Sequence, residues 1–111
     1  MSNAAEPEIP HLKSYILIRD SVPTGFAVLA AAHASLAMYL RFRDTEEVRQ
    51  WLEGPFRKAV CKVGDEEFER AKQVPDHVLI TESALGGQEV ALAFRPRAEW
   101  PKSFKFLRLF R

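Results

Sequence analysis

Cysteine, glycine and long apolar runs are all scarce in this 111-residue sequence, and each scarcity removes a class of function. The single cysteine, Cys61, cannot close an internal disulfide, which suits a reducing compartment. With three scattered histidines (His11, His33 and His77), it falls short of the ligand count of a zinc site unless carboxylates or another chain contribute. No glycine-rich phosphate loop follows a strand-like segment, and His-Glu-x-x-His is absent. No metal and no cofactor are expected. No basic region leads into an apolar stretch at the N-terminus, so no secretory signal is read there. The longest apolar run, Ala27 to Leu40, is interrupted by His33 and Ser35 and is shorter than the roughly 20 residues of a membrane span. The expectation is a cytoplasmic protein with no membrane partner.

An excess of one charge is lacking too, since the formal net charge is +1. Its distribution says more. Arg95, Arg97, Lys102, Lys105, Arg108 and Arg111 stand against Glu99 alone, so the tail carries +5 and the preceding residues −4. Two readings of that tail stay open: a surface for phosphates, or a solvated edge.

What is present is enough for a core. The hydrophobic share is 47% and the charged share 28%, ordinary for a globular domain. Residues 1–12, with two prolines and two glutamates, are expected to be a disordered lead-in to one domain over residues 13–111. Tyr15 to Ile18 suits a strand covered on both faces. Asp20, Ser21, Pro23 and Gly25 mark a loop. Phe26 to Arg43 reads as a helix with apolar residues all round its axis, hence a buried one. Asp44, with Glu47 three residues on, predicts the start of a second helix, which Gly54-Pro55 ends. Lys58 to Val63 reads as a strand. A helix follows Gly64, with Asp65, Glu66 and Glu67 in its first turn, where the helix dipole favours acids. His77 to Thr81 and Gln88 to Phe94 form a strand pair around Gly86-Gly87. Pro96 and Pro101 bracket a short helix or loop before an apolar-basic end. The order β-α-α-β-α-β-β predicts an α/β fold, a three-layer α/β/α arrangement on a mixed four-stranded sheet.

Few residues suggest chemistry. The acidic run is read as a charge cap and Cys61 as a small core residue. Ser35 and His33, two apart on a helix, do not face each other. Phe26, Leu29, Ala30, Leu36, Ala37 and Leu40 surround His33 on the helix, and two readings compete: a neutral core histidine, or a site residue.

Four segments together resemble the type 2 peptidyl-tRNA hydrolases, closest to their divergent peptidyl-tRNA hydrolase domain-containing branch. They are Tyr15 to Asp20; Gly25 to Ala34; Arg57 to Val63 followed by Asp65-Glu66-Glu67; and a closing set of Asp76 to Glu82, Ala91 to Pro96 and Phe106 to Phe110. The likeness spans about residues 14–111. It implies metal-independent hydrolysis of the ester between a peptide and tRNA, in translation, by a homodimer. The family's helix presents a lysine, a glutamine and a histidine at spacings of four and three, and an acid follows the third strand. Carried over, the catalytic residues are His33 and Glu82, while the lysine position holds Phe26 and the glutamine position Ala30. Arg19, Arg95, Lys102, Lys105 and Arg108 are the cations that would meet tRNA. Losing one electrostatic donor costs on the order of 10²–10³ in rate. Two functional expectations therefore stand: a peptidyl-tRNA hydrolase, and a catalytically impaired homologue that binds tRNA or a protein. In a variant without tRNA, the tail serves a dimer contact.

Overall fold

Alternating side-chain direction along the first strand organises the molecule, whose computed structural model describes residues 11–111. In β1 (Lys13–Arg19), Ile16 and Ile18 point to one face of the sheet while Tyr15 and Leu17 point to the other. Both sets are buried, so the run is apolar throughout. After a turn at Pro23 comes α1 (Thr24–Phe42), then α2 (Glu46–Glu53), β2 (Arg57–Val63), α3 (Asp65–Ala71), β3 (His77–Glu82), β4 (Gln88–Phe94) and β5 (Arg108–Leu109).

The strands form one mixed sheet in the order β3-β4-β1-β2-β5. β1 and β2 are parallel, with Lys13 beside Arg57 and Arg19 beside Val63. The remaining neighbours are antiparallel. β3 and β4 pair as a hairpin through a short 3-10 turn, Ser83–Leu85, and Gly86-Gly87. Both of those glycines have positive φ, 69° and 81°, a conformation that favours glycine. The sheet has five strands rather than the expected four. The extra one is two residues long, too short for alternation to announce it, and it pairs with β2 at Cys61 and Lys62.

Helices and turns cover both faces. Ile16, Ile18, Ala91 and Ala93 meet α1 and α2 through Ala27, Ala30, Ala34, Met38, Val48 and Trp51. On the other face Leu17, Cys61, Val63, Leu92 and Phe94 meet Phe68 and Ala71 of α3, and Phe104 of the 3-10 segment Lys102–Phe106. Ser14, a buried polar residue of the core, donates its hydroxyl to Phe94 O at 2.7 Å, which satisfies it.

One local expectation needs correcting. The second helix is capped by Thr45, whose Oγ1 accepts from Val48 N–H at 3.3 Å, and not by Asp44. At α3 the acidic start is as expected, and the Glu67 carboxylate accepts the Gly64 N–H at 2.8 Å.

The larger correction concerns α1. It is buried along one stripe only, Ala27, Ala30, Ala34 and Met38. Val28, Leu29, Leu36 and Leu40 are exposed. Alanine's small side chain lets the helix sit close on β3 and β4, but nothing among the described residues covers its far side. By length and composition alone α1 could cross a membrane; its inner stripe is packed on the sheet.

Candidate functional site

Strand direction sets which residues share an end of the molecule. β1 and β2 run from Lys13 and Arg57 towards Arg19 and Val63. The antiparallel β4, and β3 beyond it, bring Gln88 and Glu82 to that same second end. The N-terminus of α1 follows β1 directly, so Glu82 and the first turn of α1 lie at one end of the fold.

His33 stands in the middle of α1, and its ring is exposed. The core-histidine reading is therefore wrong: its apolar helical neighbours Leu29, Leu36 and Leu40 are themselves on the open side. No hydrogen bond or ion pair to His33 occurs among the described residues. Glu82 is half-buried, and its Oε2 accepts the Ala84 N–H at 3.1 Å, capping the 3-10 turn. No hydrogen bond joins His33 to Glu82.

The two altered positions are given over to packing. Phe26 is half-buried and packs against the α1-side core, and Ala30 is 1% exposed against the sheet. A glutamine at Ala30 would have its amide pressed into that core. Of the stripe formed by Phe26, Ala30 and His33, only the histidine is open to solvent.

The five cations expected to meet tRNA divide into two groups. Arg19 donates from Nη2 to Asp65 Oδ1 at 2.8 Å and from Nη1 to Glu89 O at 3.1 Å. Arg95 pairs with Asp76 at 3.3 Å, and Arg108 with Asp20 at 3.8 Å. Lys102 and Lys105 are exposed, with no ion pair among the described residues. The structure thus brings Arg19 and Arg95 into partly buried ion pairs and leaves the two tail lysines open.

Sequence reasoning missed Lys13 and Arg57, which meet Arg97 and Lys105 of the basic tail at the opposite end of the sheet. Lys13 and Arg57 are register partners on β1 and β2. Arg97 flanks Lys13 on its other side, through paired backbone hydrogen bonds of 3.1 Å each. Lys105 joins Lys13 and Arg57 around a cleft of about 510 Å³, walled by Tyr15 and Trp100. The only available signal, a basic residue opening each of two strands, has no meaning until the register is known.

Cys61 lies buried, and burial pushes its thiol above the usual range, with Lys13 opposing and Glu67 adding to the shift. A thiol held neutral inside a strand is a packing residue and a poor nucleophile. Lys72 donates to Glu89 at 2.5 Å and to Glu69 at 3.0 Å, and these bonds hold its ammonium above the ordinary lysine value. Among the described residues there is no group of three or more His, Cys, Asp or Glu able to hold a metal ion.

Neither the protein-family models nor the curated proteins contain a match to this chain.

Proposed function

We propose that this chain is a type 2 peptidyl-tRNA hydrolase-like protein that engages tRNA in the cytoplasm, with hydrolysis of the peptide–tRNA ester weak or lost. The carrying observation is the use made of Phe26 and Ala30. Both positions serve the core, so no ammonium and no amide stand beside His33 on α1. Ester hydrolysis needs a positioned water and a donor for the developing oxyanion. Glu82 spends one carboxylate oxygen on a backbone N–H, and Arg19, the cation at the end of β1 that precedes α1, is held by Asp65 and Glu89 O. What remains fits binding better than turnover.

Retained hydrolysis is the second reading, and one observation favours it: His33 is open to solvent, as a residue that handles substrate must be. The two readings share tRNA as partner. Electrophoretic mobility shift with deacylated tRNA tests that common part. The expected result is a complex that weakens steeply between 50 and 200 mM salt, with charge reversal at Lys102 and Lys105 lowering the affinity at low salt and making the salt dependence shallower. Absence of a complex at low salt would remove both.

The reading also includes a second copy of the chain, seated on the outer face of α1. Leu29, His33, Leu36 and Leu40 recur there at spacings of four, three and four, the pattern of helices that pack seam to seam. The run is self-complementary about a two-fold axis: with the helices antiparallel, Leu29 meets the partner's Leu40, and His33 the partner's Leu36. Side chains this exposed gain on the order of 1 kcal/mol each on burial. That sum is comparable with the cost of association, so the dimer is expected to be weak and concentration-dependent.

A further inference from the structure

From the charge pattern at the Lys13 end of the sheet, we infer a binding site for the phosphodiester backbone of single-stranded RNA, in the cleft bounded by Lys13, Arg57, Lys105, Tyr15 and Trp100. The inference deepens the tRNA reading by assigning the contact surface to residues outside the Arg19–Glu82 end.

The argument begins with register. Neighbouring strands lie about 4.8 Å apart, and like charges placed directly opposite across them are destabilising. Here Arg97, Lys13 and Arg57 occupy three adjacent positions across the sheet. Among the described residues, none of them, nor Lys105, has a carboxylate within ion-pair distance, and Glu99 is the one acid that lines the cleft. Elsewhere Arg19, Lys72, Arg95 and Arg108 have acidic partners, and the cations that have none among the described residues, such as Arg41, Arg70 and Lys102, do not stand in register with one another across neighbouring strands. Folding alone gives no return for a row of unpaired cations. An anion laid along it does.

The aromatic wall narrows the class of anion. Lys13 Nζ lies 4.7 Å from the Tyr15 ring centre, and the Arg97 guanidinium 5.2 Å from that of Trp100. Trp100 is held rigid: it stacks on Phe104 at 5.3 Å, meets Tyr15 edge-on at 4.8 Å, and donates its indole N–H to Arg97 O at 3.2 Å. It remains half-exposed. Cations that track phosphates beside a fixed, partly open aromatic ring are the elements of single-stranded nucleic-acid binding, where phosphate meets charge and a base meets the ring. The seven residues of β1 separate this cleft from the Glu82 end by roughly 20 Å, so the two ends can be tested apart.

The experiment is fluorescence anisotropy of the full chain with a labelled single-stranded oligoribonucleotide of about twelve nucleotides, across a salt series. Wild type, the double variant Lys13→Gln/Arg57→Gln and the milder Arg57→Gln alone are compared, with circular dichroism to confirm folding. Both positions have their side chains at the surface of the sheet's end, and the single variant serves if the double one does not fold. The expected result is roughly a tenfold or greater loss of affinity in the double variant, with the salt slope shallower by about 1.4, the share of two phosphate contacts. Unchanged affinity and slope in both variants, while wild type binds, would overturn this site and leave the tRNA reading standing. No binding by wild type to either the oligonucleotide or tRNA would overturn both. A third arm adds inorganic phosphate: competition at millimolar concentration, with no preference for the oligonucleotide, would reassign the cleft to free phosphate and overturn the RNA assignment.

Discussion

On its inner face α1 carries Ala27, Ala30, Ala34 and Met38, each at most 2% exposed, while on its outer face Val28, Leu36 and Leu40 are more than half exposed. The residue types are similar and the environments opposite. The inner face is small because it must lie close on β3 and β4, and the outer face is branched and apolar although no described part of the chain covers it. An apolar residue therefore marks a surface that wants a neighbour, without saying whether the neighbour is the same chain.

Three substitutions sharpen that contrast, and the largest effect is expected from the inside. Met38→Ala removes a fully buried side chain and should cost about 2–5 kcal/mol in chemical denaturation. Ala30→Gln comes next. It introduces the amide of the pattern that the sequence resembles but forces volume and an unpaired polar group against the sheet, for a loss of about 1–3 kcal/mol. Stability equal to wild type would show that this face has room for a polar side chain, and would weaken the reading of α1 as a helix given over to packing. Leu36→Glu should change monomer stability by no more than about 0.5 kcal/mol, yet shift sedimentation of concentrated protein to the monomer. An unchanged dimer would move the interface elsewhere, and the apolar-basic tail would be the next surface to test.

Much of the fold could be read from the sequence because local rules act there. The doubly covered strand at Tyr15 to Ile18, the acidic start of α3 and the Gly86-Gly87 hairpin each follow from a few adjacent residues. What escaped depends on distant ones. β5 has two residues and exists only because β2 offers an edge. The burial of α1 was overestimated because periodicity cannot separate a helix wrapped by its own chain from one that leaves an apolar face open. The site shows the same division. His33 and Glu82 could be chosen from a resemblance, but their accessibility and hydrogen bonds depend on packing. Arg19 and Lys105 look alike in the sequence, and only the fold gives one of them Asp65 and leaves the other open.

The central claim is that Phe26 and Ala30, on the helix of His33, serve packing and not ester hydrolysis. Turnover of purified peptidyl-tRNA by the wild-type chain, alongside His33→Ala and Glu82→Gln at matched concentrations, tests it most directly. The account predicts three rates that are alike and close to the buffer rate, with tRNA still bound. Multiple-turnover release of peptide by wild type, lost in either variant while folding and tRNA binding persist, would contradict it.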